Sequence, residues 1–433
     1  MDTVTLKERA ANIFEAANSL ADELARGGYS EPSFEHGLPS HLHGNAPESS
    51  ARSLKQGLLQ MVDELRALLS DPSTLLVPEM RLPTLSTHPI VRLGIAENFP
   101  DSGATVSELA QILHLREDTV RRLLKHSATH HIFYEAKPDF YIHTAASRHL
   151  SERKGMRDWV CVGAEEVLPG TLKIAEAIAK YPDSEEPEHC GWSLANSTDQ
   201  PVFRALATQP VRAEGIAGAM KWQSQKSGFS PTYLAEVFPW DNEINDSNRA
   251  SGLTVVDVGG SLGHISSALA RYPHPAAANT KFVVQDMPDI VAQGESRLAD
   301  DLKGRVSFEA HDFFMSQPED EHGADVYLLR SVLHDWSDKY AAMILRALIP
   351  GLKSGAKVLI NERVVPGFHE EHYLVERHYR EFDMHMLGFQ NALERTREDW
   401  EALIRAADQR FKVVAVRQPK GSFLAVIEVT WTG

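Results

Sequence analysis

Three acids, a glycine cluster and a histidine stand at the ends of apolar runs in this 433-residue sequence. Thr254–Val258 is a β-branched run containing Asp257, and Gly259-Gly260-Ser261-Leu262-Gly263-His264 follows it. Glycine has no Cβ, so the backbone at Gly259, Gly260 and Gly263 can approach a ligand closely and take positive φ. The spacing G-G-x-x-G differs from the dinucleotide pattern G-x-G-x-x-G. A carboxylate at Asp257 would also repel a pyrophosphate, so the loop suits a ligand with a cationic or hydroxyl-rich part. A turn with no ligand is the competing reading. Lys281–Asp286 is a second apolar run ending in an acid, where a carboxylate of a doubly wound sheet can take both ribose hydroxyls. After Arg305–Glu309, Asp312 can accept from an adenine amino group while Phe313 packs on the ring. A fourth run, Asp325–Arg330, leads into Ser331-Val332-Leu333-His334-Asp335-Trp336.

Helical segments separate these runs, and that alternation predicts a right-handed β-α-β sheet. At this point the residues resemble a family, the S-adenosylmethionine-dependent O-methyltransferases of the plant and fungal small-molecule type. The matching stretches are DVGGSLGH, QDMP, AHDFF, YLLRSVLHDW, INERVV and ALERTREDW. The wording is closest to fungal secondary-metabolite enzymes, and the segment from about Leu82 to Ala146 is similar to that family's winged-helix domain. The resemblance implies an α/β protein with a Rossmann-like class I methyltransferase domain. Its doubly wound sheet would be mostly parallel with an antiparallel C-terminal strand, preceded by a mainly helical winged-helix dimerisation domain. The implied division is 1–80 for N-terminal dimerisation helices, 81–215 for the winged-helix-like region and 216–433 for the catalytic domain. It implies S-adenosyl-L-methionine as cofactor, held by Asp257, Gly259, Gly260, Gly263, Asp286, Met287, Asp312, Phe313 and Arg330. The chain departs from many relatives at Ser261-Leu262, where they carry further glycine or small residues.

Methyl transfer to a phenol or enol oxygen is an in-line displacement that needs a deprotonated nucleophile. A phenol near pKa 10 and a histidine near 6.5 differ by roughly 3.5 units, about 5 kcal/mol uphill for full proton transfer. A neighbouring carboxylate raises the base, and a nearby cation stabilises a developing phenolate. The resemblance makes His334 the base and gives Glu362 and Glu394 orienting roles. Asp335, Trp222, Met384 and Leu387 are expected to shape the acceptor site, and Trp336 to pack. Some fungal proteins of similar appearance bind S-adenosylmethionine without transferring its methyl and catalyse dehydration or pericyclic cyclisation. Those proteins would be expected to lose the base, so the intact His334, Glu362 and Glu394 favour transfer. A non-catalytic cofactor-binding protein is a third reading.

Composition narrows the partners. A net charge of −16 argues against nucleic acid or an anionic membrane. Two cysteines, Cys161 and Cys190, make no disulfide framework and read as buried small hydrophobes in a reducing compartment. No charged-then-apolar leader opens the sequence, and no apolar run approaches the ~20 residues that span a bilayer. The expectation is a cytoplasmic protein with no metal, since His369-Glu370-Glu371-His372 lacks the HExxH zinc spacing.

The remaining elements follow from periodicity. Leu6, Ala10, Ile13, Ala17, Leu20 and Leu24 give one apolar stripe on a helix over about Thr3–Arg26. Leu54, Leu58, Met61, Leu65 and Leu68 give another over Ala51–Leu69, beyond a polar loop at Tyr29–Ser49. Neither can bury its stripe alone; the resemblance implies a homodimer through these helices, and packing on the chain's own core competes. Thr105-Val106-Ser107-Glu108 is a capping-box signature, and Ile132–Glu135 with Phe140–His143 reads as a β-wing. Arg121, Arg122 and Lys125 are too few for DNA binding on so acidic a chain. Asp183–Pro187 reads as a solvated acidic connector, and Asp241–Ser251 as a polar lead into the first strand. Met384, Met386 and Leu387 are expected on the dry face of a helix within His369–Gln390. Phe411–Val416 and Ser422–Thr430 read as the last two strands.

Overall fold

The computed structural model describes residues 4–39, 42, 49–76, 82–238, 240, 252–318, 324–367 and 370–433. All of Asp241–Ser251, parts of the expected loop at Tyr29–Ser49, and His369 lie outside them. The chain forms two compact units, Met1–Glu166 with Gln209–Ser227, and Val167–Thr208 with Gly228–Gly433.

In the first unit, Thr5 opens the helix Leu6–Arg26 through a capping box with Glu8. Ser49 caps the helix Ser50–Leu69. The two helices bury Leu20, Leu24 and Ala51 with Leu42, and Arg9 pairs with Glu64 at 3.2 Å. Their stripes are only partly covered: Leu6 is 54% exposed and Leu68 60%. Three short strands, β1 (Ala104–Thr105), β2 (Phe133–Lys137) and β3 (Phe140–His143), pair antiparallel in the order β1-β3-β2. Helices Val106–Leu113 and Glu117–Thr129 share a core with them that includes Leu109, Val120, Leu124, Phe133 and Tyr141. Helix, helix and wing follow the expected winged-helix order, and the Thr105/Glu108 capping box forms as the spacing predicts. Asp139 turns the wing at φ 58° and accepts from Arg121 Nε at 3.1 Å. Lys125 lies 4.0 Å from the same carboxylate, so two of the three basic residues face an acid.

His88, Cys161 and Glu165 of this unit bring their ligand atoms within 4.8 Å of one another. Both Glu165 oxygens are taken by the Arg92 guanidinium, and His88 Nε2 sits 2.6 Å from one of them. Burial pushes the Cys161 thiol up, away from the thiolate a metal would need. With a guanidinium bonded into it, the cluster is an ion pair and not a cation site.

The second unit is built on seven strands: β4 (Thr254–Val258), β5 (Lys281–Asp286), β6 (Val306–Ala310), β7 (Val326–Arg330), β8 (Lys357–Glu362), β9 (Phe411–Arg417) and β10 (Ala425–Trp431). Their order is β6-β5-β4-β7-β8-β10-β9. The pairs β4–β5, β5–β6, β4–β7 and β7–β8 are parallel, while β10 runs antiparallel to β8 and β9. This is the doubly wound, mostly parallel sheet with an antiparallel C-terminal edge pair that the residues and the resemblance implied. Buried parallel strands carry apolar residues on both faces. Val256, Val258, Leu329 and Ile360 pack on one side with Trp400, Leu403 and Ile404 of the helix Arg397–Ala407. Val255, Phe282, Val284, Val326 and Leu328 pack on the other with Ile265 and Leu269 of the helix His264–Ala270. The chain passes from β4 outward to β6 and returns to place β7 on the other side of β4. That switch point is where open α/β sheets leave a crevice beyond their strand ends.

Two expectations need correction. The acidic stretch Asp183–Pro187 is not a free connector. The Glu185 carbonyl accepts from Ser337 Oγ at 2.8 Å, and its carboxylate accepts from Lys339 N at 2.9 Å. Glu186 accepts from Tyr340 Oη at 2.6 Å and pairs with Lys339. Glu185 thus satisfies one orphan backbone donor, Lys339 N, at the positive end of the helix Asp338–Ala347, and Glu186 holds side chains of the same turn. The second correction concerns the helix Tyr373–Gln390: Met386 is buried, but Met384 is 46% exposed. Residues two apart on a helix point roughly 200° from each other, so Met384 does not share the dry face. Both cysteines are buried and free. Among the described residues, no helix is long and apolar enough to cross a membrane.

Candidate active site

The glycine loop is fixed by the neighbouring strand. Gly259 N and Gly260 N both donate to the Gln285 carbonyl, at 2.8 and 3.1 Å, and Ser261 N donates to Asp286 Oδ2 at 2.8 Å. Gly259 and Gly263 lie at φ +69° and +70°, where a side chain is strained. Gly260 is required for space, since a Cβ there would fall 2.7 Å from Asp257 Cγ. Ser261 takes φ 53° without being glycine, so the departure from the family's wording leaves the loop's turn in place.

Asp257 lies beneath this loop, 1% exposed, and accepts from Ser266 Oγ at 2.6 Å. Burial pushes its carboxyl up to about 6, with the Ser266 hydrogen bond and the Arg330 charge opposing. Asp286, at the end of β5, is partly buried and raised by burial; its Oδ1 accepts from Met287 N at 2.8 Å. Met287 is 56% exposed, and Asp312 is exposed and accepts from Phe314 N. Phe313 comes back over the loop, its ring 3.8 Å from a Cβ built on Gly259, and meets Trp336 edge-on at 6.0 Å. Arg330 reaches Asn361 Oδ1 and the Phe229 carbonyl, both at 2.5 Å, and burial pulls it down to about 10 against Asp257 and Glu362.

These residues fit S-adenosylmethionine. Gly259, Gly260 and Gly263 make a cradle that side chains would fill. Asp286 and Asp312 offer carboxylates at adjacent strand ends to a hydroxyl-rich, positively charged ligand, and Phe313 offers a ring beside them.

On the other side of the switch point, the short turn Leu333–Asp335 follows β7. His334 Nδ1 lies 2.9 Å from Glu394 Oε1, and Nε2 lies 3.6 Å from Asp335 Oδ1. Burial opposes charge on the imidazole, but Asp335, Glu362 and Glu394 outweigh it and hold His334 up at about 10. Burial acts against the Glu394 charge too, yet His334, Arg363 and Arg395 hold that carboxyl below its usual range. A carboxylate only accepts, so the Nδ1 proton belongs to the histidine and Nε2 is the nitrogen left to work.

Glu362 does not touch His334 by a hydrogen bond. Its Oε1 accepts from Val332 N at 2.7 Å and Leu333 N at 2.8 Å, tying down the backbone that carries the histidine. Asp335 is raised by burial and accepts from Gln390 Nε2 at 2.9 Å. Leu387 lines a cavity of about 110 Å³ with Ile174, Tyr181, His189 and Asn391. Trp222 belongs to the other unit, where its ring meets His149 edge-on and Arg153 across 5.7 Å.

Three supporting residues had no sequence signal beyond their neighbours. Arg395 is fully buried; its Nη1 and Nη2 reach the carbonyls of Leu333 and Trp336, and its Nε reaches Asp338. Asp383 accepts from Glu394 N at 2.8 Å, and Phe382 stacks parallel to His334 at 6.3 Å.

Comparison with known proteins places the chain in a family and a fold. A family model described as an O-methyltransferase domain matches residues 244–410. O-methyltransferase AMT9 of Alternaria alternata is 36% identical over 396 residues, covering 89% of this chain and 88% of that protein. Among solved structures, a point variant of LepI in complex with SAH and a substrate analogue superposes with a TM-score of 0.75 at 22% identity, covering 98% of this chain and 100% of that one. OxaC in complex with SAH and oxaline gives 0.73 at 19% identity, with the same coverage.

Proposed function

This chain belongs to the S-adenosylmethionine-dependent O-methyltransferases, and we propose that it methylates a hydroxyl of an aromatic or polyketide-type secondary metabolite with His334 as general base. The bond from His334 Nδ1 to the charged, buried Glu394 carries the reading, because it leaves Nε2 as the proton acceptor. When bound, S-adenosylmethionine supplies an electrophilic methyl group on a positively charged sulfur. The protein's part is to hold the acceptor hydroxyl against Nε2 and take its proton. Asp335, 3.6 Å from Nε2, faces the imidazolium that results. With His334 held at about 10, near the pKa of a free phenol, the free base takes the phenolic proton at little cost, and the cost falls instead on freeing that base at neutral pH. Orientation of the two reactants contributes the remaining acceleration.

The pH dependence follows from the sign of the shift. A base raised to about 10 is protonated at neutral pH, so kcat/KM rises with pH across the neutral and alkaline range. Glu394 contributes to the raised value, so Glu394→Gln should move that rise to lower pH while reducing the plateau. A pH–rate profile with an unmoved limb would remove Glu394 from the base.

The glycine-loop side of the proposal rests on Asp286 as ribose ligand, with Asp257, Met287, Asp312, Phe313 and Arg330 completing the cofactor site. Asp286→Ala should weaken S-adenosylhomocysteine binding by about 1–3 kcal/mol, the loss of a charge-assisted hydrogen-bonding group. Unchanged affinity by calorimetry would take Asp286 out of the site. The proposal includes a homodimer through the N-terminal helices, whose exposed Leu6, Leu68 and Leu69 supply apolar surface, and a cytoplasmic location.

The cyclase reading shares the fold, since a pericyclic reaction enzyme superposes on this chain with a TM-score of 0.73 at 22% identity, so the fold does not choose between the two. The deciding experiment is incubation with methyl-labelled S-adenosylmethionine and phenolic, hydroxypyridone and polyketide acceptors, read by mass spectrometry. A labelled product with release of S-adenosylhomocysteine supports transfer. Conversion of the acceptor with no mass gain overturns it in favour of cyclisation.

A further inference from the structure

Arg363, the residue after β8, is 5% exposed, and among the described residues its guanidinium has one ionic partner. Nη1 reaches Glu394 Oε1 at 3.5 Å, on the same oxygen that takes His334 Nδ1 at 2.9 Å. That is long for a charge-assisted bond, which runs near 2.7–2.9 Å, and one-armed where arginine and carboxylate favour two parallel bonds. Glu394 Oε2 meanwhile is buried with no hydrogen-bond partner. An arginine present only to neutralise Glu394 would close on both oxygens. Instead the guanidinium sits over the Phe382 ring, 3.7 Å from its centroid, with the Phe229 ring at 5.3 Å. Trp400 Nε1 holds the Arg363 carbonyl at 3.0 Å, and Val365 N pairs with the Arg395 carbonyl at 2.8 Å, so the backbone on either side is fixed.

A guanidinium carries five donors in a planar fork. Here the fork is rigidly placed, flanked by aromatic rings and one carboxylate away from the base, with most of its donors unspent. Phe382 also stacks on His334, so one ring links the two. Among the described residues only Nη1 has a hydrogen-bond partner, which leaves Nε and Nη2 free to meet a ligand.

We infer that Arg363 binds an anionic or carbonyl oxygen on the methyl acceptor, which sets the acceptor class as flat phenols or enols bearing such an oxygen beside the hydroxyl. Ortho-acyl phenols, ortho-carboxy phenols and β-dicarbonyl enols meet that description. The inference rests on the O-methyltransferase reading of this same site, and it makes Arg363 an acceptor-binding residue.

The test measures binding of salicylate, 2-hydroxyacetophenone and phenol to full-length protein saturated with S-adenosylhomocysteine, for wild type, Arg363→Met and Arg363→Lys. Methionine keeps a long side chain between the two rings, and melting temperature checks that each variant folds. Wild type should favour the two ortho-oxygen probes over phenol by at least about tenfold, the size of a charge-assisted hydrogen bond. Arg363→Met should erase that ratio with phenol affinity unchanged, and Arg363→Lys should keep part of it. Equal binding of the three probes by wild type, or no binding of any, overturns the inference. So does an equal loss for every probe in Arg363→Met, which would mean that the arginine only supports Glu394. The two proposals fail separately. Methylation of plain phenols with a ratio of one removes Arg363 alone, while a large ratio without methyl transfer to any hydroxyl removes the transferase reading alone.

Discussion

His334→Ala is expected to lower kcat by about 10²–10⁴-fold, the usual contribution of a positioned general base, while S-adenosylhomocysteine affinity stays at the wild-type value. The two effects separate because most of the proposed cofactor residues lie at or beyond the ends of β4, β5 and β6, and the one on β7, Arg330, bonds Asn361 and the Phe229 carbonyl, whereas His334 bonds Glu394. Stability will respond as well. The imidazolium is the near partner of Glu394, and without it that buried carboxylate keeps, among the described residues, the long bond to Arg363 at 3.5 Å and the more distant Arg395 charge. Removing one member of a buried pair typically costs about 3–5 kcal/mol, so the single variant should melt lower. His334→Ala combined with Glu394→Gln removes the stranded charge, and its melting temperature should recover while turnover does not. Recovery of both would make the histidine structural. Wild-type turnover in the single variant would dismiss it as the base.

The sheet was legible in the sequence because each parallel strand is buried on both faces. Val255, Val256 and Val258 point to opposite sides yet all lie in a core, so an uninterrupted apolar run is what the fold demands. The glycine loop was legible for a local reason, since Gly259 and Gly263 need backbone angles that other residues avoid. His334 and Glu394 could be named because each closes a recognisable stretch, but their pairing spans 60 positions and no periodicity encodes it. Long-range polar partners account for most of what sequence alone did not reveal. Arg395 braces the histidine loop through two carbonyls, and a carbonyl has no sequence signature. Glu185 and Glu186 looked solvated because acid runs usually are, and the helix start they bond, one through its backbone and the other through its side chains, begins more than 150 positions later. Met384 misled through composition: methionines at 384 and 386 suggest one apolar face, and the helical turn puts them on opposite ones.

Glu362 should separate two roles that a single alanine would merge. Its Oε1 is the acceptor for Val332 N and Leu333 N, and the residue is 1% exposed. Glu362→Ala strands both donors at about 1–3 kcal/mol each, so a loss of about 2–6 kcal/mol is expected, with the turn carrying His334 released and turnover falling with it. Glu362→Gln keeps an acceptor oxygen for the same two donors and removes only the charge. Burial is the main influence on this carboxyl and raises its pKa, against the pull of the His334 charge. The folded state therefore holds the proton more tightly than the unfolded chain, and wild type loses stability as pH climbs out of the ordinary carboxylate range. Glutamine has no proton to lose there, so Glu362→Gln should melt at or above wild type at neutral and alkaline pH. Because Glu362 also helps to hold His334 up, the same variant should shift the rise of kcat/KM to lower pH. Thermal melts of the three proteins from pH 5 to 9 decide the matter. If alanine tracks glutamine at every pH, the two backbone bonds contribute nothing, and Glu362 acts on His334 through its charge alone.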